Sequence, residues 1–93
     1  IGLTEKITIY GKSFNKELIA KIDTGADKSS IDTRLAASLR LGPVVRVLTI
    51  KSASGNTSRP IIQVKINLHG KDIVSEFTLI DRVQMKYKVL IGK

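Results

Sequence analysis

Polar and hydrophobic residues alternate with period two over much of this chain, which is the signature of strands with one buried face. Near the start, Ile7 and Ile9 are separated by Thr8 and preceded by Lys6, and Gly11-Lys12-Ser13 follows as a turn. Leu18 to Ile22 is mostly apolar and β-prone, and is expected to pair back on the first strand. The period then changes. Between Asp32 and Leu41, the residues Leu35, Ala36 and Leu39 fall on one helical face, Asp32 is placed as the N-cap, and Gly42-Pro43 closes the helix.

A further β-prone stretch runs from Val44 to Lys51. Ser52 to Arg59 is small and polar with a Gly-Asn pair, and reads as the tip of a mobile hairpin. After Pro60, the residues Ile62, Val64, Ile66 and Leu68 alternate with Gln63, Lys65, Asn67 and His69, and a tight turn at Gly70-Lys71 leads into Ile73 through Ile80. Asp81 to Lys86 is a connector, and Tyr87 to Ile91 the last strand. About six or seven strands with one short helix predict an all-β, predominantly antiparallel, barrel-like domain.

Composition narrows the function. Ninety-three residues form one domain, 1–93, with room for a single core, so a site that needs two lobes must come from two chains. Apolar runs as short as Val89-Leu90-Ile91 are far below the roughly 20 residues that cross a bilayer, and a membrane is not an expected partner. Ile1 to Lys6 has no basic region followed by an apolar stretch, so no secretory signal is expected and the cytoplasm is the expected location. A first residue other than Met suggests a trimmed N-terminus.

Without cysteine there are no disulfides and no thiolate metal sites, and the single histidine, His69, reads as an exposed turn residue. No metal or other cofactor is expected. The formal charge of +8 favours acidic partners, nucleic acid or an acidic polypeptide among them. Its sixteen Lys and Arg residues are scattered, which also suits a plain solvated surface.

The chemistry centres on Asp23-Thr24-Gly25. That tripeptide alone is a weak signal, expected by chance in roughly one or two chains in a hundred of this length. Its context sharpens it. It follows an apolar strand and continues as Ala26-Asp27-Lys28-Ser29-Ser30, so Asp23 stands at a strand end where the backbone turns and a carboxylate can be aimed into a cleft.

Asp23 to Asp27 resembles the active-site stretch of the retropepsin family of aspartic peptidases, and Val89-Leu90-Ile91-Gly92-Lys93 resembles its second hallmark, aliphatic residues followed by Gly and usually Arg. The chain is most similar to the small prokaryotic and archaeal retropepsin-like proteins often labelled ATP-dependent zinc proteases, with Lys88 where their pattern has Pro. One His and no Cys give that zinc label no support.

The resemblance implies a retropepsin-like closed barrel with one short helix, half of a two-fold homodimer, acting as an aspartic endopeptidase on a polypeptide substrate. Two carboxylates that share a proton are needed, and this chain holds one such motif, so Asp23 of each of two copies would form the dyad. Thr24 and Gly25 would support it, Ala26 and Asp27 would contact substrate main chain, and Ser54, Gly55 and Asn56 would form a flap tip over the substrate. Gly92 would pack beneath the Asp-Thr-Gly loop and Lys93 would pair with Asp27. Relatives of this kind are associated with ligases that add glutamates to proteins, which makes an acidic, glutamate-rich substrate a natural expectation.

Retropepsins continue past the Gly-Arg motif into a helix, whereas this chain stops at Lys93, so either it is truncated there or its dimer closes differently. Two rival readings fit the same residues. One is a non-catalytic retropepsin-like module for peptide binding or assembly. The other is a basic nucleic-acid-binding β-barrel, against which stand only four dispersed aromatics, Tyr10, Phe14, Phe77 and Tyr87.

Overall fold

The computed structural model describes residues 3–92. Seven strands and one helix follow in the order β1 (Leu3–Tyr10), β2 (Asn15–Ile22), β3 (Ser29–Asp32), α1 (Thr33–Leu39), β4 (Val44–Ser52), β5 (Gly55–Leu68), β6 (Lys71–Ile80) and β7 (Val89–Ile91). Lys93, and with it the expected pairing to Asp27, lies outside the described residues.

The strands are ordered β1-β2-β7-β3-β6-β5-β4, and β1 also pairs with β5. That extra pairing, Ile7 opposite Leu68 and Ile9 opposite Ile66, closes the first six strands of the order into a barrel and leaves β4 outside it. Most pairs are antiparallel, as the alternation predicted; β2 with β7 and β3 with β6 are parallel. Among the described residues no helix is long and apolar enough to cross a membrane.

The barrel is filled from the period-two positions. Ile7 and Ile9 of β1, Val64 and Ile66 of β5, Phe77 of β6 and Val89 of β7 are all buried. Each fully buried aliphatic side chain of this size contributes about 1.5–3 kcal/mol over exposure. Helix α1 is too short to be stable in isolation and is held by docking Ala36 and Leu39 onto this core.

Asp32 starts the helix as expected, its Oδ2 accepting the Leu35 amide at 3.2 Å. Its Oδ1 accepts the Arg82 amide at 2.8 Å, so the same carboxylate ties the helix to the connector before β7. Burial pushes this carboxyl up, but the amides of Arg82 and Leu35, the Lys88 charge and the Arg34 amide together outweigh burial and hold it below its ordinary value.

The structure corrects the sequence reading in five places, one being the last strand, which begins at Val89 rather than at Tyr87. The helix ends at Leu39 rather than at Gly42-Pro43, because Arg40 takes a left-handed conformation (φ 53°, ψ 46°) and Leu41 N donates to Ala36 O at 3.0 Å. Ser29–Asp32, unassigned from sequence, is a strand between β6 and β7. The hairpin tip is shorter than Ser52 to Arg59: Ala53 and Ser54 form the turn, and from Gly55 onward the chain is already paired with β4. The β5–β6 turn sits one residue early, at His69 and Gly70, both at positive φ.

Candidate active site

Strand β2 ends beside β7, with Ile22 opposite Ile91, and the amide of Asp23 donates to Ile91 O at 2.9 Å. The chain then turns within four residues, Ala26 N donating to Asp23 O at 3.1 Å. Inside that turn the Gly25 amide donates to Asp23 Oδ1 at 3.0 Å, while Oδ2 has no hydrogen bond among the described residues. The result is a half-buried carboxylate with one oxygen fixed by the backbone, followed by the exposed residues Thr24 and Gly25. One such group can accept a proton or donate one, but it cannot do both in one step.

The second hallmark lies against the same loop. Gly92 N donates to Ser29 Oγ at 3.0 Å, and a Cβ at Gly92 would stand 2.6 Å from Lys28 O and 2.9 Å from Ala26 O. Backbone here passes too close for any side chain. A glycine at this position lets the end of β7 support the Asp23–Ala26 turn directly.

A groove of about 830 Å³ opens next to the turn. Asp27, Lys28 and Ser29 form part of its wall; Arg46, Val47 and Leu48 of β4, Ile73 to Glu76 of β6, and Ile61, Ile91 and Gly92 complete most of the rest. Arg46 pairs with Glu76 across it. Two acids, Asp27 and Glu76, therefore face two bases, Lys28 and Arg46, over a largely aliphatic lining.

Of the residues singled out from sequence, Asp27 lies on the groove, and Asp23, Thr24 and Gly25 lie in the turn that enters it without lining it within one chain. Ala26 is half-buried between them, with its carbonyl against Gly92. Ser54, Gly55 and Asn56 stand exposed at the tip of the β4–β5 hairpin, beyond the groove walls. Gly55 has φ 125° and Ser52 Oγ donates to its carbonyl at 2.8 Å, which fixes the tip.

Sequence reasoning missed Lys28, Ser29, Arg46 and Glu76. Only Lys28 and Ser29 carried a signal, by following the Asp-Thr-Gly stretch directly. Along the hairpin Val44, Val47 and Ile50 are exposed, and residues 44–60 include Arg46, Lys51 and Arg59 but no carboxylate. Among the described residues no three His, Asp or Glu side chains cluster to hold a metal ion.

The family model of the RimB-like group, described as retropepsin-like aspartic endopeptidase RimB, matches residues 34–93, a stretch that begins after Asp23-Thr24-Gly25. The fold resembles simian foamy virus (mac) protease at a TM-score of 0.73 and 16% identity, covering 97% of this chain and 87% of that one. It also resembles EIAV protease in complex with the inhibitor HBY-793, at 0.70 and 22%, over 99% and 82% of the two chains. The retroviral protease-like domain of Ddi1 from Leishmania major gives 0.63 and 24%, over 99% and 70%. No curated protein matches the chain. At such identities these likenesses establish the fold: the all-β closed barrel with one short helix is retropepsin-like.

Proposed function

Because the chain belongs to the RimB-like family of retropepsin-like aspartic endopeptidases, we propose that it hydrolyses peptide bonds with a water held between Asp23 and the same residue of a second copy. One carboxylate of the pair removes a proton from the water as it attacks the scissile carbonyl carbon. The other, protonated, gives its proton to the carbonyl oxygen. Collapse of the resulting diol passes a proton to the leaving nitrogen. Like charges this close do not both ionise readily, so the pair holds one shared proton, as in aspartic proteases generally.

The observation that carries this reading is the Asp23 carboxylate itself, fixed by Gly25 N through one oxygen and placed in the turn that enters an 830 Å³ groove. Thr24 braces the pair across the dimer, and Gly25, Ala26 and Asp27 present main-chain and carboxylate partners to an extended substrate. Ser54, Gly55 and Asn56 close over it and exclude water. The substrate is an acidic polypeptide: Lys51 and Arg59 on the hairpin add positive charge to a groove whose own charges cancel.

Sedimentation mass measured beside digestion of a peptide library, for the parent and for Asp23→Asn, tests the proposal. A dimer that cleaves as the parent and not as the variant is expected. Undiminished cleavage by Asp23→Asn would remove the aspartic mechanism. No cleavage by a dimeric parent would favour a peptide-binding module.

A further inference from the structure

A second cavity, of about 260 Å³, lies between the β1–β2 turn, the C-terminal end of α1 and β5. It is at the other end of β2 from Asp23, eight residues away along a strand, or roughly 25 Å at about 3.3 Å per residue. Its walls carry Lys12, Arg40 and Lys65 and no carboxylate.

The fold sets the backbone that carries each cation. Lys12 N donates to Leu39 O at 3.2 Å, so its turn is fastened to the helix end, and Arg40 is the left-handed cap of that helix. Lys65 stands in mid-β5 opposite Val74, its ammonium 5.4 Å from the centre of the Tyr10 ring. One carboxylate, Asp72, lies at the margin, where it accepts from Tyr10 Oη and Asn67 Nδ2, each at 2.8 Å, and faces Lys65. Three cations against one engaged carboxylate leave a local positive excess.

Aromatic side chains gather at the same end. Tyr10 is a wall of the cavity, and Phe14, on the same turn through Gly11 N to Phe14 O at 3.1 Å, is 54% exposed. Two of the four aromatics, Tyr10 and Phe14, thus share one basic turn.

We infer that this end of the barrel is a binding site for single-stranded nucleic acid, separate from the peptidase cleft. Phosphates sit on Lys12, Arg40 and Lys65, and a base stacks on Phe14. An acidic peptide would use the same cations, but its glutamate side chains have no flat ring to stack on Phe14 as a base does, and that difference favours the nucleic acid.

Fluorescence anisotropy tests this directly and without reference to cleavage. The probes are a labelled oligouridylate of about 12 residues and a labelled glutamate peptide of similar charge. Three phosphate contacts predict that log affinity falls against log salt with a slope of about −2. Lys12→Gln with Arg40→Gly, the latter suited to a cap at φ 53°, should weaken oligouridylate binding about tenfold at low salt and bring the slope to about −0.7. Phe14→Ala, at an exposed position, should weaken binding several-fold with the slope unchanged, and peptidase activity should be that of the parent in both variants.

Equal or tighter binding of the glutamate peptide would reassign the site to acidic proteins. No oligouridylate binding, or binding that all variants retain, would overturn the inference. Should the double variant melt early, Phe14→Ala decides alone.

Discussion

Asp23 and Ile91 are joined by one hydrogen bond, amide to carbonyl oxygen at 2.9 Å, and through it the candidate acid rests on β7, the strand that ends at Ile91 just before Gly92. The two hallmark stretches, far apart in sequence, are therefore one structural unit. Anything that moves the end of β7 moves the carboxylate.

Gly92→Ala tests that unit. The new methyl would meet Lys28 O at 2.6 Å and Ala26 O at 2.9 Å, and neither is the free end of a flexible side chain. Overpacking of this kind costs about 1–3 kcal/mol, so the urea midpoint should fall at unchanged m-value. Peptidase activity should fall at temperatures where the variant is still folded, because the Asp23–Ala26 turn is displaced. An unchanged midpoint would mean that the loop yields freely.

Asp23→Asn should separate chemistry from folding. The amide oxygen of Asn can still accept from Gly25 N, so the turn survives and stability should change by no more than about 0.5 kcal/mol. Turnover should drop by about a hundredfold to ten-thousandfold, as befits loss of a positioned acid or base. Parent activity should also fall faster than linearly on dilution where the dimer is weak. Strict proportionality to concentration in a sample that sediments as monomer would remove the shared dyad.

Legibility in the sequence followed the source of each element's stability. Strands β1 and β5 were readable because their inward positions, Ile7 and Ile9, then Ile62, Val64 and Ile66, are apolar in strict alternation. The helix start was readable because a cap is a local interaction. Strand β3 was not, since Ser29-Ser30-Ile31-Asp32 holds one large apolar side chain and owes its conformation to β6 and β7 on either side. Barrel closure through β1 and β5, and the Arg46–Glu76 pair in the groove, are likewise long-range.

Lys88 shows the limit from the other direction. Sequence marked it only as a departure from a Pro in related chains, whereas its ammonium donates to Val83 O at 2.6 Å and to Arg82 O and Met85 O at 3.3 Å, gathering the connector before β7.

Asp32 sets a pH dependence whose sign follows from its surroundings. Burial alone would raise its pKa, and the amides of Arg82, Leu35 and Arg34 with the charge of Lys88 outweigh that and lower it. A carboxyl depressed in the folded state stabilises the fold above its unfolded value of about 3.9, and that stabilisation is lost as pH falls through the folded value. Asp32→Ala should therefore lower stability at pH 7, by about 0.5–2 kcal/mol from the cap alone. It should also flatten the loss of stability below about pH 4. Parallel acid-unfolding curves for parent and variant would show that other carboxylates carry the dependence.

The acidic-substrate reading predicts a salt effect located on the hairpin. Within the groove Asp27 and Glu76 balance Lys28 and Arg46, and Arg46 and Glu76 are paired to each other, so the groove has little field to offer a polyanion. Lys51 and Arg59 have no carboxylate on either hairpin strand to oppose them, and a flap that closes brings them toward the substrate. Glutamate-rich peptides should then be cleaved with a higher kcat/KM than neutral ones at low salt. The advantage should vanish near about 0.5 M, where the screening length is only several ångströms. Lys51→Gln with Arg59→Gln should reduce it at low salt while leaving cleavage of neutral peptides alone, since neither side chain touches the Asp23 turn. The opposite pattern, with the advantage intact in that variant and lost in Lys12→Gln with Arg40→Gly, would move recognition of the acidic chain to the far end of the barrel. Equal cleavage of acidic and neutral peptides at every salt concentration would leave the surplus charge with no part in substrate choice.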